Sequence, residues 1–397
     1  MANVTRWMHE AAFLSGTCLL ALCVSPAASA QDQPSYKVDP TWPKPLPNNW
    51  IMGMVRGLAV DRENHIWVLH GPGSVDADQL GAAQTPPRAE CCVPAPPVLE
   101  FDAQGNLLKS WGGPASGDAK KYDWFSKEHS IFVDPAGNVW LSGNDAPDRQ
   151  VLKFTSEGKF LLQIGHAVPP RPEHSLDKTL VGAVAGFDID EKAHEIYMAD
   201  GYLNRRVIVV DSETGAVKRM WGAYGHEPND AGDVDLGGKT FGPPPVIPYN
   251  AGAALAQQFR PPVHCVRISD DGLVYVCDRG NDRIQVFTKE GKFVKEFFVG
   301  AGPVCKTCSH PPSALTFSRD KDQKYLLVSD GQSNVIWTLR RSDGAVVGKT
   351  GRGGSNPGEF HRIHSLGSDA DGNLYTGELN PANRIQKFVL VGRKASK

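Results

Sequence analysis

The sequence carries no excess of charge of either sign. Its 42 Lys+Arg stand against 44 Asp+Glu, a formal net charge of −2, and no run of Lys or Arg stands out. That balance argues against a nucleic-acid partner, which a basic stripe would announce. Long apolar runs are missing too. The one near the start, Ala11 to Val24, is too short for a membrane span. A haem-attachment CxxCH is also absent, because Ser309 intervenes in Cys305-Lys-Thr-Cys308-Ser309-His310. What the chain has in quantity is turn formers. It holds 41 Gly and 30 Pro in 397 residues, with 41% hydrophobic and 22% charged residues, a composition suited to a soluble all-β fold.

Residues 1–30 read as a secretory signal peptide. Arg6 precedes the apolar run, and Ala28-Ser29-Ala30 is a small-x-small cleavage site. The expected mature chain starts at Gln31 and works in a periplasm or outside the cell. It keeps Cys91, Cys92, Cys265, Cys277, Cys305 and Cys308. An even number in an oxidising compartment suggests disulfides. Cys305 and Cys308 read as a disulfide or as plain thiols. The neighbours Cys91 and Cys92 are expected to pair elsewhere rather than with each other.

One unit recurs along the chain. It is an apolar strand, a turn rich in Asp, Gly and Asn, a second strand, a polar loop, a third strand, a Gly turn and a fourth strand. Its copies begin at Gly57, Ser130, Gly186, Cys265, Ser313 and Ser365. Period-2 alternation makes these strands, and turns such as Asp371-Gly372-Asn373 are hairpin signals. Fourth strands follow the first five units, while the sixth stops near Val391. Tyr36 to Trp42 can supply the missing strand and close the ring, which removes free sheet edges. The spacing predicts an all-β, six-bladed β-propeller closed by an N-terminal strand. Residues 31–53 form its arm, 54–391 the propeller and 392–397 a tail. Three insertions, Pro72 to Pro97, Ala167 to Val181 and Tyr224 to Gln258, read as surface loops or as lids over one mouth.

In a propeller the first strand of each blade lines the central channel. Aligned on the residue that opens the first turn, the six units place Arg56, His129, Ala185, His264, Ser313 and His364 at one level. The three histidines fall on alternate blades, about 120° apart around a six-fold ring, where imidazoles can converge on one ion. His at three given positions arises by chance about once in 40,000 for a fixed register, so a metal site outweighs three structural histidines. Neutral imidazole suits Zn, Cu, Ni and Fe alike. Arg56 places a fixed positive charge at the same level, suited to a carboxylate. A second ring closes the second strands: His70, Gly143, Asp200, Asp278, Asp330 and Glu378. Its acids read mainly as turn caps. Tyr202 and Arg279, which follow it, are the better catalytic candidates, since a phenol beside a metal can act as a base.

These residues resemble a known family. The units are similar to NHL repeats, and Met54 to Val391 resembles the peptidyl-α-hydroxyglycine α-amidating lyases. The resemblance rests on His129 in EHSIFVDPAGNVW, His264 in VHCVRISDDGLVYVCDRGNDRIQVF, His364 in IHSLGSDADGNLY, Asp200-Gly201-Tyr202, and Asp278-Arg279 followed by Asp282-Arg283-Ile284-Gln285. It implies Zn²⁺ on the three histidines, Tyr202 acting at the metal, and cleavage of a carbinolamide C–N bond in a small-molecule or peptide-derived substrate with a carboxylate. Two positions depart from the family pattern. Leu69-His70-Gly71 lacks the arginine that follows Phe-His, and Ser365 replaces an Asp that helps hold Ca²⁺, so a Ca²⁺ site does not carry over. The family's disulfide cysteines are unmatched, and Cys265 and Cys277 can face each other across the hairpin at Asp271-Gly272 instead. The alternatives are a metal-dependent hydrolase or other lyase on a small molecule, and a non-catalytic NHL-repeat binding protein.

Overall fold

A computed structural model of the protein describes residues 33–114, 121–170, 174–230, 255–300 and 309–392. The leader expected at 1–30, Cys305, Cys308 and parts of the second and third insertions lie outside the described residues.

Each repeat folds into one four-stranded antiparallel sheet. The first strands are Val55–Val60, Glu128–Val133, Val184–Asp190, Val263–Ile268, Pro312–Phe317 and Ile363–Ser368. The second strands are Ile66–His70, Val139–Gly143, Glu195–Asp200, Val274–Asp278, Tyr325–Asp330 and Leu374–Glu378. In blade six the fourth strand is Ser35–Asp39, which pairs antiparallel with Ile385–Val391, Ser35 opposite Val391 and Asp39 opposite Lys387. The chain's first described strand thus closes the ring, as the repeat count requires.

The hairpin turns are held by the residue on which the units align. Asp61, Asp134 and Asp369 each accept backbone N–H groups of their own turn and also bind an aromatic of the second strand. Trp67 Nε1 donates to Asp61 at 2.8 Å, Trp140 Nε1 to Asp134 at 3.0 Å, and the Tyr375 hydroxyl to Asp369 at 3.0 Å. Aspartate favours such turns because its short carboxylate reaches its own backbone.

The core is divided among the junctions between blades. Six apolar clusters occupy the six blade-to-blade interfaces, such as Tyr197 and Val209 of blade three against Val263 and Val276 of blade four. A sheet covered on both faces has no polar side to display. Second strands such as IWVLH and VYVCD are accordingly buried at every position. Fourth strands form the rim and are only partly covered.

Cys265 and Cys277 lie opposite each other on the first two strands of blade four and are joined. Cys91 and Cys92 are joined to each other, contrary to the expectation that each pairs elsewhere. Cys265 and Cys277 take each other as partners, which leaves neither for the vicinal pair.

Candidate metal centre

All six blades break register at the same place. The first strand skips a residue between Val55 and Gly57, Glu128 and Ser130, Val184 and Gly186, Val263 and Cys265, Pro312 and Ala314, and Ile363 and Ser365. The skipped residues are Arg56, His129, Ala185, His264, Ser313 and His364, the ring that sequence spacing predicts. A bulge leaves its extra residue out of the ladder and re-aims its side chain.

The three imidazoles form a near-symmetric triangle. Their ring centroids are 5.3, 5.0 and 4.7 Å apart and their planes cross at 78–83°. One ligand nitrogen from each lies within 4.8 Å of the others, and all three side chains are buried. The backbone fixes two of them. His264 Nδ1 lies 2.5 Å from the Ser313 carbonyl and His364 Nδ1 2.7 Å from the Arg56 carbonyl. Each Nδ1 therefore carries the proton and each Nε2 offers a lone pair, the arrangement typical of metal-ligating histidine. Burial holds all three rings neutral. It pushes His364 down to about 3, helped by the charges of Arg279 and Arg56, and holds His129 and His264 well below the usual range. Three neutral, converging imidazoles can bind a metal, and their donor set fits a divalent transition ion.

The blades between the histidines are cleared by glycine. A Cβ on Gly57 would meet the His129 carbonyl at 3.0 Å, and one on Gly186 would meet the His264 carbonyl at 3.1 Å. One residue beyond the second-strand ends stand Gly71, Gly201 and Gly331. A Cβ on Gly201 would overlap the Val263 backbone, and one on Gly331 the Ile363 carbonyl at 2.6 Å. These close approaches seat the chain just before His264 and His364. At Gly71 the vacated space is taken by the Arg56 guanidinium.

The catalytic candidates gather on the triangle. The Tyr202 hydroxyl lies 2.9 Å from His129 Nε2 and 3.1 Å from His264 Nε2. Burial raises its pKa, while the charges of Arg279 and Arg56 and the nearby polar side chain of Asn144 oppose the rise. Arg56 is buried; its Nη1 donates to the Glu128 carbonyl at 3.2 Å and its Nη2 lies 3.4 Å from Met54 Sδ. No carboxylate forms an ion pair with it among the described residues. A buried guanidinium left to a carbonyl and a thioether suits an incoming anion. Ser365 is buried and its hydroxyl has no partner among the described residues.

The acids of the second ring are clamps. Asp200, Asp278 and Glu378 bind Arg206, Arg283 and Arg384 at 2.7, 2.6 and 2.9 Å. Each also accepts a backbone N–H from the segment entering its own blade, from Gly182, Arg260 and His361 at 2.5, 3.0 and 2.7 Å. His70 does the same for Gly53 through Nδ1 at 3.1 Å. In blade two, Gly143 has no side chain to offer, and Asp148 takes Ser126 N at 2.8 Å.

Asn144 is the site residue that sequence reasoning missed. It occupies in blade two the position that Arg279 occupies in blade four, one past the end of the second strand, so the register alone could have found it.

Comparison with known proteins comes to the same place. The sequence pattern of the NHL repeat matches residues 263–287, three strands of blade four. The chain is 26% identical over 362 residues to peptidyl-glycine alpha-amidating monooxygenase B of Xenopus laevis, covering 88% of this chain and 35% of that protein. It is 26% identical over 369 residues to peptidyl-alpha-hydroxyglycine alpha-amidating lyase 1 of Drosophila melanogaster, covering 89% of this chain and 60% of that one. The chain thus spans about a third and about three fifths of these relatives. A solved structure of a protein of unknown function from Bacteroides thetaiotaomicron shares the fold, with a TM-score of 0.53 and 14% identity over 91% of this chain and 74% of that one. The chain is a six-bladed β-propeller with an NHL repeat, and it resembles the peptidyl-α-hydroxyglycine α-amidating lyases.

Proposed function

We propose that the protein is an exported, metal-dependent lyase that cleaves a carbinolamide C–N bond, releasing an amide and an aldehyde such as glyoxylate. The observation that carries this reading is the triangle of neutral imidazoles with the Tyr202 hydroxyl against two of them. His129, His264 and His364 would hold Zn²⁺ or another divalent transition metal. Such an ion, when bound, is a Lewis acid that polarises the substrate hydroxyl. Tyr202, as the phenolate, takes the hydroxyl proton as general base. The electron pair left on oxygen forms the carbonyl, the C–N bond breaks with its pair going to nitrogen, and the same proton passes from Tyr202 to the nitrogen, releasing the amide. Arg279 or Arg56 binds the substrate carboxylate. The buried Arg56 supports this role because its hydrogen bonds among the described residues go to the Glu128 carbonyl and Met54 Sδ rather than to a carboxylate. The leader read in residues 1–30 and the Cys265–Cys277 bond support a periplasmic or secreted location.

The test joins metal analysis with turnover of α-hydroxyglycine compounds. The expected result is about one zinc per chain and glyoxylate release, with both lost in His264→Ala. Metal content unchanged in that variant would sink the site. A second reading, a hydrolase or another lyase on a different small molecule, is favoured by one feature: Gly71 stands where the family carries an arginine. Stoichiometric metal without turnover of any α-hydroxyglycine compound would select it.

A further inference from the structure

We infer that Asp61, His65 and Glu100 form a second metal site, which takes a divalent transition ion such as Zn²⁺ at the first turn of blade one. It stands at the opposite end of the first strand from Arg56 and shares no residue with the three-histidine centre. His65 Nδ1 lies 2.8 Å from Glu100 Oε1 and 3.7 Å from Asp61 Oδ2. One ligand atom from each of the three residues lies within 4.8 Å of the others. Three donors about 2.1 Å from a tetrahedral ion stand about 3.4 Å apart, so small side-chain shifts close these three on one ion. One imidazole nitrogen and two carboxylates are a donor set that suits it.

Blades two and six show what the same positions hold elsewhere. His65 closes the turn opened by Asp61, as Asn138 closes that of Asp134 and Asn373 that of Asp369. Each asparagine donates to its aspartate, at 3.0 and 2.8 Å. Opposite the aromatic that follows, blades two and six carry Lys153 and Lys387. Their ammonium groups lie over Trp140 and Tyr375, at 4.9 and 5.6 Å from the ring centres. Blade one carries Glu100 opposite Trp67. An amide and a lysine are thus exchanged together for an imidazole and a carboxylate, and these two groups meet.

Glu100 is 3% exposed, and its Oε2 accepts no hydrogen bond among the described residues. Lys109 Nζ lies 3.2 Å from that oxygen and also 3.5 Å from Glu157 Oε1. Asp61 and Glu100 therefore bring two negative charges against one shared lysine, and a buried carboxylate calls for fuller compensation. The His65 side chain is 33% exposed, which leaves the ion's remaining positions to water. Three ligands with an open side release an ion readily. The site fills from added metal and empties during purification, unlike the buried centre.

The test is calorimetric titration of Zn²⁺ into the purified protein and into His264→Ala, where the central histidines no longer act as a set. In His264→Ala about one added ion per chain is expected, with a dissociation constant in the micromolar range. His65→Asn, which installs the residue of blades two and six, is expected to weaken that binding about tenfold or more, and Glu100→Gln likewise. Both variants keep the central ion in the otherwise unmodified protein. No uptake in His264→Ala, or uptake that neither substitution weakens, overturns the inference. Should His264→Ala not fold, the unmodified protein decides in the same way, through the uptake that His65→Asn and Glu100→Gln remove. A central ion that survives His264→Ala refutes the lyase reading alone and leaves this site standing.

Discussion

Blades two, four and six differ from blades one, three and five in one respect that matters. All six share the same four-stranded sheet and the same bulge. The even blades use the bulge to present histidine, while the odd blades present Arg56, Ala185 and Ser313 there. Odd blades then withdraw bulk around it, with Gly57 and Gly186 against the carbonyls of His129 and His264, and Gly201 and Gly331 against the residues that precede His264 and His364. A site of this kind needs both halves. Three imidazoles converge only if the blades between them make room, so the glycines are as much a part of the cluster as the histidines.

The comparison breaks most completely at the ligands. Alanine at His129, His264 or His364 is expected to take bound metal from about one per chain to below a tenth, while Ser313→Ala on an odd blade leaves it intact. Elemental analysis of the purified variants reads both. Next comes the clearance. Gly201→Ala forces a methyl into the Val263 backbone, whereas an added methyl on Gly73 meets nothing within 4 Å. The first should cost roughly 3 kcal/mol or more and the second under about 0.5, as seen in denaturant midpoints.

Acid tests the odd blades in another way. His70 closes blade one as a neutral ring, accepting Gly53 N–H at Nδ1 and lying 3.0 Å from the Pro96 carbonyl through Nε2. Burial lowers its pKa from 6.5 to about 4. The unfolded chain therefore takes up this proton first as pH falls. The stability from His70 is complete above pH 6.5, erodes below it, and is gone once pH passes through about 4. The loss amounts to about 3 kcal/mol, and a His70→Asn variant should show a correspondingly flatter pH dependence in urea unfolding. The smallest effect is expected at the brace of blade four. The Cys265–Cys277 bond links the strand of His264 to the strand that ends before Arg279. Replacing both cysteines with alanine should cost ~2–3 kcal/mol in thermal or denaturant unfolding, and a larger loss would mean that the brace also holds the ligands in register.

Much of this was legible because the chain repeats. Six turns opened by Asp or Ser fix a common register, and in a propeller a common register becomes a ring. Counting back from those turns reaches His129, His264 and His364 without coordinates. The missing sixth outer strand pointed to Tyr36 and its neighbours for the same reason, since an open edge would otherwise remain. Asn144 was legible in principle, at the position of Arg279, yet Gly143 interrupts the acidic ring just before it and obscures the match. The pairing of Cys91 with Cys92 was expected to go the other way, because spacing alone does not tell which thiols the loops bring together.

The sequence by itself determined the blade count, the closure and the level at which the histidines stand, because these follow from period and spacing along the chain. Only the tertiary structure decided where the side chains point and what each one touches. The bulge that frees each ring residue from its ladder is a mismatch between two strands, and no single strand encodes it. The meeting of the Tyr202 hydroxyl of blade three with His129 of blade two and His264 of blade four depends on three blades at once. Such contacts join residues far apart in the chain, and it is the closing of the ring that brings them within hydrogen-bonding distance.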